Sequence, residues 1–218
     1  MTGETKVIIG LICTTVAILV GGVLYAGSTA HKEAAPVLPQ EQIHLLSREG
    51  DNKIVAENAK VTLTEFADFE CEACGAMHPI VKQILDEYKG RITFVHRYFP
   101  LDGHRNGRLA AQSVAAAGKQ GKFWEMYNKM FEKQKEWGEQ ETPQREKFIG
   151  YAKEVGLDID TFTKDLDNKE IADRIQKDID DGHELGVAAT PTFFINDERM
   201  EGGLPFEEFK KKLDEKLK

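Results

Sequence analysis

Residues 61–99 limit the fold more than any other part of this 218-residue chain. Residues 61–66 (VTLTEF) are β-branched and apolar, the pattern of a short buried strand. Met77, Ile80, Val81, Ile84, Leu85 and Tyr88 then fall at helical spacing, and Gly90 closes the helix. Residues 91–99 (RITFVHRYF) read as a second strand, stopped by Pro100. Two strands joined by one helix predict a βαβ unit with a parallel pair. At the junction of first strand and helix stands Cys71-Glu72-Ala73-Cys74.

Residues 104–187 carry almost nothing but helix signals. Leu109, Ala110, Ser113, Val114 and Ala117 form a small-residue face ended by Gly118, and Phe123, Trp124, Met126, Tyr127, Met130 and Phe131 a bulky one. The aromatic stripe could line a ligand box, but core packing accounts for it better at this spacing. Thr142-Pro143 reads as an N-cap with proline in the first turn, leading a helix through Phe148, Ile149 and Ala152 to Gly156. Asp160 is expected to cap a short turn bearing Phe162 and Leu166, and Ile171, Ile175 and Ile179 mark a last helix. Residues 192–196 (TFFIN) return to strand, 197–198 turn, 199–201 form a return strand and Gly202-Gly203 breaks it. Phe206, Phe209, Leu213 and Leu217 give a terminal amphipathic helix. The order β-α-β, helical block, β-β-α describes one α/β domain over 42–218, with a helical insertion at about 104–187.

The amino-terminal part is different in kind. Residues 7–26 (VIIGLICTTVAILVGGVLYA) are 20 uncharged residues, long enough as a helix to cross the roughly 30 Å of a bilayer core. The length favours an uncleaved transmembrane anchor over a signal peptide, although Ser28-Thr29-Ala30 would suit cleavage. Residues 1–6 are then a short cytoplasmic segment and 27–41 a linker. Cys13 reads as a small apolar filler. Charge flanking the segment says little about orientation, and the domain is placed outside the cytoplasm. The formal charge of -8 argues against a nucleic-acid partner.

Three cysteines are too few for a disulfide scaffold. The C-x-x-C pair is therefore half a zinc site or a redox pair. For zinc, His78 could be a third ligand, but a fourth would have to come from His44, His96, His104 or His183, none at a recognisable spacing. The redox reading explains more. Cys71 falls at the start of a helix, where free N–H groups and the helix dipole stabilise a thiolate, and two intervening residues bring the sulfurs into bonding range. Cys71 is expected to attack and Cys74, shielded, to resolve.

These residues, with RYFPL, FWEMYNKMF and VAATPTFFIN, resemble the DsbA-type branch of the thioredoxin superfamily from about Asn58 to the C-terminus. The resemblance implies a thioredoxin-like fold with an inserted helical domain, here preceded by one transmembrane helix. It implies that Glu65 is a buried acid exchanging protons with Cys74. It also implies that Thr190-Pro191 is a cis-proline loop whose Thr190 contacts extended substrates, and that Pro79 kinks the first helix. No organic cofactor is implied, since the cysteines carry the electrons. The expected activity is thiol–disulfide exchange that introduces disulfides into exported cysteine-containing proteins, with a quinone-linked membrane partner of DsbB or vitamin-K-epoxide-reductase (VKOR) type restoring the disulfide. The spacer Glu72-Ala73 departs from the strongest oxidants, which have histidine before the second cysteine. Ala73 cannot assist a thiolate, and Glu70 and Glu72 should raise the Cys71 pKa, against the helix-terminus donors. The same site run as a reductase or isomerase, and a tethered peptide-binding or chaperone module, are the alternatives.

Overall fold

The computed structural model describes residues 37–218. The 7–26 segment lies outside the described residues, as does most of 27–41; among the described residues no helix is long and apolar enough to cross a membrane. The end of the segment read as linker is docked. Val37 bridges Glu198, Leu38 N–H donates to the Asp197 carbonyl, and a 3-10 helix follows at Gln40–Leu45.

Among the described residues five strands form one sheet: β1 (Asn52–Ile54), β2 (Val61–Ala67), β3 (Ile92–Tyr98), β4 (Thr192–Ile195) and β5 (Glu198–Glu201). Their spatial order is β1-β3-β2-β4-β5. Only β2 and β3 are parallel, joined by α1 (Glu72–Glu87), and every other pairing is antiparallel. Six helices fill the insertion: α2 (Gly107–Lys119), α3 (Phe123–Glu132), α4 (Gln134–Trp137), α5 (Arg145–Glu154), α6 (Ile159–Asp165) and α7 (Lys169–Glu184). The chain then forms β4, β5 and α8 (Phe206–Leu217). β1 and α4 have no counterpart in the sequence reading, because three and four residues are too few to show a period.

Strand alternation divides the core in two. Val61, Leu63, Ile92 and Phe94 pack with Met77, Val81 and Ile84 of α1 and Phe209 and Leu213 of α8. Phe66 and Phe194 belong to a second cluster made mostly by the insertion, including Val114, Met130, Trp137 and Phe148. The aromatic stripe of α3 is core, as its spacing predicts, with Met126, Tyr127 and Met130 buried.

Two helix starts differ from expectation. α5 begins at Arg145 with Gln144 as N-cap, so Thr142-Pro143 stays outside it. The Gln144 N–H is held by Asn106 Oδ1 at 3.0 Å, which keeps the preceding chain in a loop, and Thr142 Oγ1 accepts from the Gln144 amide. α6 is capped by Asp158, whose Oδ1 accepts from Thr161 N–H at 2.8 Å, and Asp160 falls inside the first turn.

Across the sheet from α1, a buried ionic network ties the insertion down. Arg97 on β3 donates through Nε to Asp178 Oδ1 at 2.9 Å and through Nη2 to Asp181 Oδ2 at 2.5 Å, both on α7. Arg48 pairs with Asp181 and Arg174 with Asp51. The Arg97 and Asp178 side chains have no exposure, so removing one leaves the other charged, buried and unpaired. Arg97→Met is expected to cost about 3–5 kcal/mol in urea unfolding; a loss under about 1 kcal/mol, the range of an exposed pair, would contradict this reading.

Candidate active site

β2 ends at Ala67, and four residues later Cys71 is the N-cap of α1, extended at φ -68° and ψ 120°. Its carbonyl accepts from Gly75 N–H at 3.0 Å, opening the helix, while the sulfur stands at the end where helix N–H groups lack intrahelical partners. The two acids that precede Cys71 in this turn are held by hydrogen bonds to other groups. Asp68 accepts from Glu70 N–H and Leu101 N–H, each at 2.8 Å, and lies 2.5 Å from His104 Nδ1. Glu70 is buried and accepts from the N–H groups of Asn106 (2.6 Å) and Glu139 (3.0 Å). Both carboxylates thus clamp loops of the insertion onto the turn.

Gln134 of α4 closes the turn from the other side, its Nε2 donating to the carbonyls of Phe69 and Cys71, both at 2.8 Å. This contact explains Gly75: a Cβ there would stand 2.1 Å from Gln134 Oε1. Gly75→Ala must displace Gln134 and is therefore expected to loosen the turn that carries Cys71.

Cys71 and Cys74 are both free thiols, 8% and 1% exposed, while Glu72 and Ala73 between them are exposed. Cys71 Sγ lies 3.3 Å from the carbonyl oxygen of Thr190. The Thr190–Pro191 bond is cis, and the Thr190 hydroxyl is buried with no hydrogen-bond partner. These contacts bring the 190–191 loop against the helix start, although the two segments are 119 residues apart. Pro79 lies inside α1.

The two thiols sit in opposite environments. The Cys71 pKa is lowered to about 5, first by a hydrogen bond from the Cys74 thiol; burial opposes this, and the Thr190 side chain and the N–H groups of Cys74 and Ala73 add to it. Burial pushes Cys74 well above the ordinary thiol range, and the Cys71 sulfur raises it further. The net shift at Cys71 is downward, so the hydrogen bonds to its sulfur outweigh the rise expected from Glu70 and Glu72.

Glu65 is 1% exposed on β2. Its Oε2 accepts from the Tyr127 hydroxyl at 2.9 Å and lies 3.4 Å from His96 Nδ1. His78 is not drawn into a ligand set with the cysteines. Its Nε2 lies 2.9 Å from Asn128 Oδ1, its ring stacks on Phe131, and burial lowers its pKa. Among the described residues no group of three or more His, Cys, Asp or Glu is arranged to hold a metal ion. His104 differs: the hydrogen bond to Asp68 raises its pKa, and the Cys71 charge contributes in the same direction.

Sequence reasoning missed Gln134, Tyr127, His96 and Asp68 as site residues. Tyr127 was legible only as part of an apolar stripe, and Gln134 carried no signal at all. His104 was visible as a histidine with no assigned partner.

Electrostatic coupling is reciprocal, so a cation at His104 also favours the Cys71 thiolate. That help is present below the raised His104 pKa and is lost as pH rises through it. His104→Gln is expected to move the Cys71 thiolate titration, followed by ultraviolet absorbance, upward from about 5. An unchanged midpoint would remove His104 from the site.

The sequence matches the thioredoxin family (Thioredoxin_4) over residues 49–215. Among curated proteins, the Na(+)/H(+) antiporter NhaA 1 of Salinispora arenicola is 37% identical over 150 residues, covering 68% of this chain but 22% of the antiporter. The chain thus spans about a fifth of the length of the curated relatives it matches. BdbD from Bacillus subtilis has the same fold, with a TM-score of 0.70 and 25% identity, covering 84% of this chain and 97% of that one. The thiol–disulfide exchange protein α-DsbA2 from Wolbachia pipientis aligns with a TM-score of 0.70 and 22% identity, covering 80% and 91%. The chain therefore belongs to the thioredoxin family and has the fold of the DsbA-type thiol–disulfide oxidoreductases.

Proposed function

We propose that this chain is a thiol–disulfide oxidoreductase of DsbA type that introduces disulfides into exported proteins, with Cys71 as nucleophile and Cys74 as resolving thiol. The observation that carries the reading is the contrast between the two sulfurs, one lowered to about 5 and the other held far above the ordinary range. A thiolate stabilised at Cys71 stabilises the dithiol form, and so makes the disulfide a stronger oxidant. This favours the oxidase over a reductase despite the Glu72-Ala73 spacer.

In the oxidised enzyme a client thiolate attacks Cys71 Sγ. The Cys71–Cys74 bond breaks, a mixed disulfide forms, and the Cys74 sulfur leaves with the bonding electrons. Because a buried anion at Cys74 is disfavoured, that sulfur must take up a proton, and Glu65 is the carboxyl group assigned to exchange it. A second client thiolate then attacks the client sulfur of the mixed disulfide. The client disulfide forms and Cys71 departs as its stabilised thiolate. Two electrons have passed to the enzyme.

Thr190 and Pro191 form the substrate loop. The Thr190 backbone supplies hydrogen bonds to an extended client segment, and its carbonyl oxygen lies 3.3 Å from Cys71 Sγ. A quinone-linked membrane partner of DsbB or VKOR type removes the electrons. The 7–26 segment anchors the domain on the extracytoplasmic side.

The test uses a reduced, unfolded client with two cysteines, and the oxidised full chain. Cys74→Ser, mixed with a peptide disulfide, is expected to accumulate a mixed disulfide between Cys71 and one peptide as the other peptide leaves as thiolate. The double variant Cys71→Ser, Cys74→Ser is expected to leave client oxidation at the uncatalysed rate. Undiminished oxidation by the double variant would refute the mechanism and favour a chaperone module.

A further inference from the structure

On the sheet face that packs against α1, β2 and β3 stack matched pairs: Val61 beside Ile92, Leu63 beside Phe94, then Glu65 beside His96. The first two pairs are apolar and fully buried or nearly so, and the third is ionisable yet just as buried, with side-chain exposures of 1% and 0%. A third apolar pair would complete the core without desolvating polar groups. β4 adds no charge here, since Phe193 is the residue paired with Glu65 on that side.

The groups around Glu65 form an ordered set. Tyr127 of α3 donates its hydroxyl to Oε2 at 2.9 Å, and His96 Nδ1 lies 3.4 Å from the same oxygen. Oε1 receives no hydrogen bond from the described residues. Cys74 and His78 are the titratable groups that approach from α1, each electrostatically coupled to Glu65. His78 is committed to Asn128. His96 Nε2 is buried with no polar partner, within a cage formed by the rings of Phe69, Tyr98, Phe123 and Tyr127. The histidine ring is thus held by packing, with a single polar contact that faces Glu65. A cleft bounded by Trp124, Tyr127 and Asn128 leaves this cluster one side chain from water.

We propose that His96 and Tyr127 are positioning residues that hold the Glu65 carboxyl group through Oε2, so that Oε1 exchanges the proton of Cys74. This rests on the redox reading above and adds to it the residues that make Glu65 competent. Burial and the Glu65 charge keep Tyr127 protonated, and therefore a donor, far above neutral pH. During reoxidation the Cys74 proton passes to Glu65 as Cys74 Sγ attacks the sulfur of Cys71 in a mixed disulfide. The bond from Cys71 to the external sulfur breaks, and the external thiolate leaves with that electron pair. Losing either donor frees the carboxyl to rotate, and proton transfer slows while attack by Cys71 does not.

Reduced full chain mixed with oxidised glutathione separates these steps. Acid quenching and mass spectrometry follow first the glutathione adduct at Cys71, then its loss to the Cys71–Cys74 disulfide, between pH 5 and 9. Tyr127→Phe and His96→Phe are each expected to slow the second step about tenfold and shift its pH profile, with adduct formation changed by less than about twofold. His96→Asn, whose amide N–H reproduces the Nδ1 donor, is expected to recover most of the rate. Neither Phe substitution should slow the step further in a Glu65→Gln background.

A second step that keeps its wild-type rate and pH profile in Tyr127→Phe would overturn the proposal, and that variant decides the matter even if His96→Phe does not fold. So would equal slowing of both steps, or slowing that persists in the Glu65→Gln background. Failure of the wild-type chain to form the adduct or the disulfide would instead overturn the redox reading itself.

Discussion

The hydrogen bonds that converge where β2 hands over to α1 set the terms for the rest of the molecule. A thiolate at a helix N-cap needs donors and a backbone that stays in place. Here the donors come from Cys74 and Ala73, and burial alone would push the other way. Three side chains fix the backbone: Asp68 and Glu70 from within the turn, and Gln134 from α4. Each reaches or receives a segment of the insertion or its entry loop, so the helical insertion is part of the active site rather than an ornament on it. Its attachment on the far side of the sheet, through Arg97, Asp178 and Asp181, keeps α7 on the same scaffold.

This arrangement separates two carboxylate roles that look alike in sequence. Asp68 and Glu70 sit next to the cysteines, yet their oxygens are taken up by backbone N–H groups and His104. Glu65 lies further away along the chain but is coupled to Cys74 through the core. In sequence the neighbouring acids and the helix-terminus donors pull the Cys71 pKa in opposite directions; in three dimensions the donors prevail. The dipeptide between the cysteines is exposed and contributes one backbone donor, the Ala73 N–H, so a histidine there is not the sole means of stabilising the anion.

The main fold elements were legible because each carries its own period: VTLTEF and RITFVHRYF as strands, α1 and α7 as apolar stripes, α8 as an amphipathic close. Cys71 and Cys74 stood out by spacing at a strand–helix junction, and Glu65 and Thr190-Pro191 through family resemblance. What escaped was either too short to be periodic, as with β1 and α4, or made by contacts between distant segments. Gln134 meets Cys71 across 63 residues and Tyr127 meets Glu65 across 62, and no local pattern announces either. The start of α5 was misplaced for the same reason, since a bond from Asn106, 38 residues upstream, overrides the local Thr-Pro signal.

The reduction potential of the Cys71–Cys74 pair, measured by equilibrating the full chain in glutathione buffers, bears most directly on this account. A thiolate stabilised as it is here places the couple toward the strongly oxidising end, near about -120 mV, where the disulfide is donated to clients. A value near about -270 mV, as for thioredoxin, would mean that the hydrogen bonds at Cys71 do not stabilise the reduced form, and would contradict the assignment as an oxidase.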